Sequence, residues 1–256
     1  MHRRRALKMF VGLALCPLCA STSFGEAAHA GTHWGYGGST GPDKWGGLDA
    51  ANAVCSSGTQ ESPIDITGPI SARLPPLDMH WSGRPDTIVN NGHTIQLDFA
   101  EGNTLGVGGR SYALRQFHFH HPSEHLVDGK AFAMEAHFVH TAAAGGVAVV
   151  GVFMTPGRTN AVFNKIVSTM PTEESPPAPA DHAIDPNGLL PTRRSYYRYE
   201  GSLTTPPCSE TVDWFVLADR IEVAETDIER FAKLYPMDAR PAQSLNRRFI
   251  LSSTPR

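Results

Sequence analysis

The 256-residue chain has no apolar run long enough to cross a bilayer. Its candidate near the start, Met9 to Leu15, falls well short of the ~20 residues that a spanning helix needs. It has no excess of positive charge either. Its 22 Lys and Arg are outnumbered by 25 Asp and Glu, which argues against nucleic acid as a partner, since phosphate binding needs a basic patch. No period of roughly 20 to 50 residues recurs, so a repeat architecture is excluded. No flexible histidine tract occurs, which removes the usual signature of a zinc carrier.

What is present begins with a processing signal. Arg3-Arg4-Arg5 and Lys8 precede the apolar run, and Ala28-His29-Ala30 offers a small-residue cleavage site, with Ser23-Phe24-Gly25 as a second candidate. This predicts a cleaved export signal over residues 1–30 (cleavage nearer 25 being the alternative), a mature domain over residues 31–256 and a periplasmic or secreted location without a stable membrane anchor. The basic start is similar to a twin-arginine signal, although Ala6 stands where Phe is usual. Leu15 before Cys16 is too bulky for a lipoprotein box. Loss of the leader removes four basic residues and one acid, so the formal charge moves from −3 to −6. It also removes Cys16 and Cys19. Cys55 and Cys208 then remain in an oxidising compartment, where a disulfide is favoured over two free buried thiols.

Twenty-four Gly and 20 Pro between short apolar runs point to a strand-rich fold. The expectation is an α+β, mostly β, single domain: a large, mainly antiparallel twisted sheet with a few peripheral helices. Residues 31–48 read as an irregular aromatic arm. Strands are predicted at Ser62–Ile66, at Thr87–Val89, from His93 to Phe99 after an Asn91-Gly92 turn, from Lys130 to His140 and from Val147 to Met154. One helix is predicted from about Asn160 to Thr169. Another starts at Thr226 with Glu229 completing a capping box, and Pro171 to Pro191 reads as a loop.

The chemistry concentrates in Gln116-Phe117-His118-Phe119-His120. Side chains alternate along a strand, so Gln116, His118 and His120 share one face, with the two histidines roughly 7 Å apart at Cα. Two neutral imidazoles there can converge on one ion. The Lys130–His140 strand puts Glu135, His137 and Val139 on one face, so His137 supplies a third nitrogen and leaves a fourth tetrahedral position open. Gln116 and Glu135 can hold the far nitrogens of His118 and His137. A lone strand histidine is more often a satisfied core residue; three with two placed acceptors are a metal site.

These residues, with Ser123-Glu124-His125, Trp34-Gly35-Tyr36, Asn90-Asn91-Gly92-His93, the Gly201–Cys208 segment and Arg240-Pro241-Ala242-Gln243, follow in the order found in the α-class carbonic anhydrases. The chain resembles the bacterial exported members of that family from about Trp34 to Arg248. The resemblance implies one Zn2+ per chain and reversible hydration of carbon dioxide to bicarbonate and a proton by a zinc-bound hydroxide. By similarity, Glu124 and Thr204 orient the hydroxide and Thr205 helps hold bicarbonate. Val139, Val149, Leu203, Val212 and Trp214 line the carbon dioxide pocket. His93 shuttles protons, Tyr36, Asn91 and Gln96 order the intervening water, and Cys55 pairs with Cys208.

The chain departs from the family pattern at Glu61, where Gln is usual, at Asp238, where Asn is usual, and in a shortened loop from His121 to Glu124. His121, His125 and His140 read as structural. The alternative function is a non-catalytic carbonic-anhydrase-like binding module, which would have lost a zinc histidine. Oligomeric state stays open, a homodimer included.

Overall fold

The computed structural model describes residues 33–253; the expected leader lies outside the described residues. Seven strands build the sheet around the histidines: β1 (Thr87–Asn90), β2 (Ile95–Asp98), β3 (Arg110–His120), β4 (Met134–Thr141), β5 (Val147–Pro156), β6 (Tyr196–Gly201) and β7 (Val212–Leu217). They lie in the order β1, β2, β3, β4, β5, β7, β6 within a sheet of 13 strands. Neighbours pair antiparallel except β5 with β7, which run parallel with Val149 beside Trp214. Short segments extend both ends, Ala178–Pro179 beyond β1 and Leu251–Ser253 then Ile70–Ala72 beyond β6.

The face that β3 presents is set by one irregularity. Leu114 pairs with His140 and Gln116 with Val139, so Arg115 is a one-residue bulge. Before it, Tyr112 and Leu114 point into the core; after it, Phe117 and Phe119 do. An extra residue in one strand shifts the two-residue alternation by one. Without it, the parity that points Leu114 into the apolar core would have pointed His118 and His120 there as well.

The core beneath β3 and β4 is apolar and aromatic: Phe117, Phe119 and Phe138 are fully buried, and α1 (Ala161–Thr169) covers them with Phe163, Ile166 and Val167. Spacing of three and four residues puts those three side chains on one helix face, each worth roughly 1.5–3 kcal/mol when buried. α1 matches the helix expected from about Asn160, and Asn160 itself caps it, accepting from the backbone of Val162 and Phe163 at 3.0 Å each. α2 (Glu225–Ala232) corrects the other helix. It starts one residue earlier, after Ala224, and no side chain caps it, so the Thr226–Glu229 capping box does not form. Buried Asp227 instead accepts both contacts from Asn164 Nδ2 at 3.0 Å and ties α2 to α1.

Other boundaries also shift. The strand expected from Lys130 begins at Met134 and the one expected from His93 begins at Ile95, which leaves His93 in the turn. Only Asp65–Ile66 of the Ser62–Ile66 segment is a strand, paired parallel with Leu126–Val127 outside the main sheet. The proline-rich segment carries Ala178–Pro179 and a short 3-10 turn at Pro186–Leu189. The aromatic arm packs Trp34, Tyr36 and Trp45 edge to face beside the Cys55–Cys208 disulfide. Among the described residues no helix is long and apolar enough to cross a membrane.

Candidate metal centre

β3 and β4 pair with His118 directly opposite His137, and His120 follows on the same face of β3. Donor nitrogens of His118, His120 and His137 lie within 4.8 Å of one another. Each ring has its other nitrogen beside an oxygen. Gln116 Oε1 lies 2.7 Å from His118 Nδ1, and the Asp238 carbonyl lies 2.8 Å from His120 Nδ1. Glu135 Oε1 lies 3.0 Å from His137 Nε2, which makes no hydrogen bond. The nitrogens left to converge are therefore Nε2 of His118 and His120 and Nδ1 of His137. Buried His120 Nε2 has no hydrogen-bond partner, as a metal-facing donor should. Burial, then the neighbouring His120 and His137, push the His118 imidazole well below its ordinary pKa and keep it in the neutral, ligating form.

Glu135 is held more fully than the sequence suggested. Oε2 accepts from the backbone N–H of Glu124 at 3.1 Å and of His125 at 2.9 Å, and Oε1 lies 2.8 Å from His125 Nδ1. Burial by itself would raise this carboxyl. The neighbouring imidazoles of His125 and His137 outweigh it and hold Glu135 well below the usual carboxylate range. His125 continues the network: its Nε2 lies 2.7 Å from the Tyr199 hydroxyl, which lies 2.9 Å from Ser62 Oγ. Ser62 Oγ in turn accepts from Ser202 N–H at 3.0 Å, two residues before Thr204.

Glu124 Oε1 accepts from the Arg240 backbone at 2.8 Å. Its Oε2 is buried without a partner, 3.4 Å from His120 Nε2 and 3.7 Å from His137 Nδ1, so no hydrogen bond joins it to Thr204. Arg240 is itself buried: it pairs with Glu61 Oε2 at 2.6 Å, donates to the Ser62 and Cys55 carbonyls, and lies over the Trp45 ring. The Glu61 departure thus places a carboxylate against a buried guanidinium. Burial raises the Glu61 carboxyl and Arg240 opposes that shift. Asp238 contributes its carbonyl, which an Asn would supply equally; its own carboxyl accepts from His121 N–H and is pushed well up by burial.

The expected pocket residues gather on the metal face. Val149 pairs with both Val139 and Trp214, and these three join Val212 and Leu203 in one apolar cluster. Trp214 Nε1 donates to the Ser202 carbonyl at 3.0 Å. Thr204 is buried, and the carbonyl of Thr205 accepts from Cys208 N–H at 2.9 Å, beside the disulfide.

Gln96 pairs with His118 across β2 and β3, and Asn91 Nδ2 donates to Gln96 Oε1 at 3.4 Å. Tyr36 stands near Glu124: burial and then that charge push its hydroxyl well above its ordinary pKa. His93 lies against the arm, its ring stacked on Trp34 at 3.7 Å and facing His33 at 5.3 Å. Burial, then His33, lower its pKa to about 4.

The sequence reading takes His125 as structural and Ser62 only as the start of a strand, and it gives Tyr199 no role. The Ser123-Glu124-His125 run was a signal for the first; the others act through contacts between distant segments.

A family model described as eukaryotic-type carbonic anhydrase matches residues 40–254. A carbonic anhydrase of Neisseria gonorrhoeae is 41% identical over 237 residues, covering 91% of this chain and 94% of that one. One from Klebsiella pneumoniae is 41% identical over 223 residues, covering 86% and 91%. Among solved structures, the α-carbonic anhydrase of Thermovibrio ammonificans, in complex with the inhibitor sulfanilamide, superposes with a TM-score of 0.83 at 42% identity, covering 86% of this chain and 99% of that one.

Proposed function

The chain belongs to the eukaryotic-type carbonic anhydrase family, and from that premise we propose that it hydrates carbon dioxide reversibly at one zinc ion held by His118, His120 and His137. The observation that carries this reading is the convergence of three ring nitrogens whose opposite nitrogens all face fixed oxygens. Three neutral imidazoles fit zinc and leave its double charge uncompensated. Zinc bound there supplies the Lewis acidity that makes water nucleophilic at neutral pH.

The protein's own groups do the rest. Gln116, the Asp238 carbonyl and Glu135 set ring orientation. Glu124, an acceptor-only group with Oε2 free, would accept a hydrogen bond from the Thr204 hydroxyl, so that the Thr204 oxygen accepts from the reacting water and fixes its direction. Val139, Val149, Leu203, Val212 and Trp214 give an uncharged substrate an apolar wall, and Thr205 helps hold bicarbonate. His93 carries the released proton outward across water ordered by Tyr36, Asn91 and Gln96.

The basic, apolar and Ala-x-Ala start supports export through cleavage after Ala30 to the periplasm or beyond, and the Cys55–Cys208 bridge fits that compartment. Stopped-flow hydration of the mature protein tests the catalytic reading. Activity should be lost on chelation and restored by one equivalent of zinc. Full activity in metal-free protein, or in His118→Ala, would overturn it.

A further inference from the structure

Glu61 is only 5% exposed, and one of its two carboxylate oxygens is satisfied. Oε2 pairs with Arg240 Nη1 at 2.6 Å, whereas Oε1 is buried without a hydrogen-bond partner. That oxygen borders a gap left by a glycine. A Cβ on Gly58 would overlap Glu61 Oε1, and would lie 2.7 Å from Glu210 Oε1 and 2.8 Å from the Val54 carbonyl. Three acceptors therefore surround one small space. The Val54 carbonyl accepts from Gly58 N–H and Glu210 Oε1 accepts from Gln60 N–H, so the oxygen left without a donor is Glu61 Oε1. The charges acting on Glu61 are those of Arg240, Glu210 and Arg248. Two guanidinium groups oppose a metal ion in the gap; a single proton supplies the missing donor.

The two carboxyls belong to the two segments that must meet at the site. Arg240, held by Glu61, gives its backbone N–H to Glu124 Oε1 at 2.8 Å. Glu210 follows Ser209, whose carbonyl accepts from Leu203 N–H at 3.1 Å, so it is carried by the loop that presents Thr204. Glu124 Oε2 and the Thr204 hydroxyl are not joined in this structure. A tie from Glu61 to Glu210 would brace one against the other. The Gln usual at position 61 could make that tie with its amide while still accepting from Arg240. A carboxylate, being acceptor-only, cannot; a carboxylic acid can.

Resting on the catalytic reading above, we propose that Glu61 is a proton-dependent positioning residue: protonated on Oε1 it donates to Glu210 Oε1, keeps Arg240 on Oε2, and braces the Thr204 loop against the backbone that holds Glu124. The proton comes from solvent and returns to it. Burial favours the protonated form and raises the carboxyl from its ordinary 4.5, with Arg240 opposing, Glu210 adding to the rise and Arg248 opposing. Stability from a raised carboxyl is full below that ordinary value and is lost as pH rises through the folded one. The brace is therefore strongest in acid.

The test compares the zinc-loaded protein with its Glu61→Gln variant, whose amide keeps the brace at every pH, between about pH 4 and pH 8. The infrared difference between the two cancels the raised Asp238 carboxyl and should leave one protonated carboxyl that persists above about pH 5 and vanishes as pH rises. In denaturant melts the variant should be the more stable at about pH 7, with the gap closing toward about pH 4. In strong buffer its kcat/KM should exceed that of the wild type at about pH 7 by roughly fivefold, the size of one net hydrogen bond, and the ratio should approach one in acid. Glu210→Ala removes the acceptor, and in that background Glu61→Gln should gain neither stability nor rate. An ionised Glu61 at about pH 5, a variant no more stable than wild type at about pH 7, or gains that survive Glu210→Ala would each overturn the proposal. The infrared and melting arms need no turnover, so a brace seen there in a protein that does not hydrate carbon dioxide marks failure of the catalytic reading instead.

Discussion

Glu135 and Gly151 occupy one space: a Cβ on Gly151 would lie 2.8 Å from Glu135 Oε1. Gly151 sits on β5 directly across from His137, so the missing side chain leaves room for the carboxylate behind the metal ligand. Gly151→Ala should push Glu135 away from His125 and His137. Loss of such a supporting contact typically costs 10–100-fold in metal affinity, and a fall of about that size is expected here. Competition with a chelator measures it; unchanged zinc affinity would show that Glu135 does not need the space.

The legible parts of the molecule were local. The histidine face of β3 follows from alternation within five residues, and α1 follows from Asn160 and a helical apolar period. The Arg115 bulge was not legible, because it exists only relative to the partner strand. The hold on His120, a backbone carbonyl 118 residues away that any residue at 238 would provide, leaves no side-chain pattern to read and follows from the resemblance alone. Thr226 failed as a cap because the preceding strand, Ile221–Val223, delivers the chain into the helix at Ala224. His125 reads as structural in the sequence, but its partners, Glu135 and Tyr199, lie 10 and 74 residues on and are not legible there.

His140 is buried in the apolar core, stacked on Trp81, with Nδ1 3.3 Å from the Ala148 carbonyl and Nε2 unpartnered. Burial lowers its pKa from 6.5 to about 4. The unfolded chain therefore takes up a proton that the folded one refuses. The associated stability is present above pH 6.5 and is lost as pH falls toward 4, by about 3 kcal/mol. His140→Phe keeps an aromatic ring against Trp81 and removes the titration. Denaturant melts of both proteins between pH 7 and pH 4 should show the wild type losing more stability; parallel curves would refute the assignment.

Cys55 and Cys208 are joined across 153 residues. Closing so long a loop should stabilise the folded state by about 5 kcal/mol through the unfolded chain. For a domain of this size that corresponds to a melting temperature roughly 10–20 °C lower in Cys55→Ala/Cys208→Ala. Hydration activity should fall too, because the bridge anchors the backbone at Cys208, whose N–H holds the Thr205 carbonyl beside Thr204. Thiol titration of the denatured, leaderless protein should find no free sulfhydryl, and two would contradict the bridge.

Trp34 covers His93, and that contact opposes the shuttle role. An imidazole held to about pH 4 by burial, with His33 beside it, is a weak proton acceptor near neutrality, where a shuttle needs a matched pKa. Trp34→Ala should expose the ring and bring its pKa back toward 6.5, read by NMR titration of the His93 ring proton. In weak buffer at pH 7 that variant should turn over faster than wild type. His93→Ala should turn over more slowly and be rescued by added imidazole. An unmoved pKa would mean that burial by Trp34 is not the cause. Unchanged turnover in His93→Ala would remove the residue from proton transfer altogether.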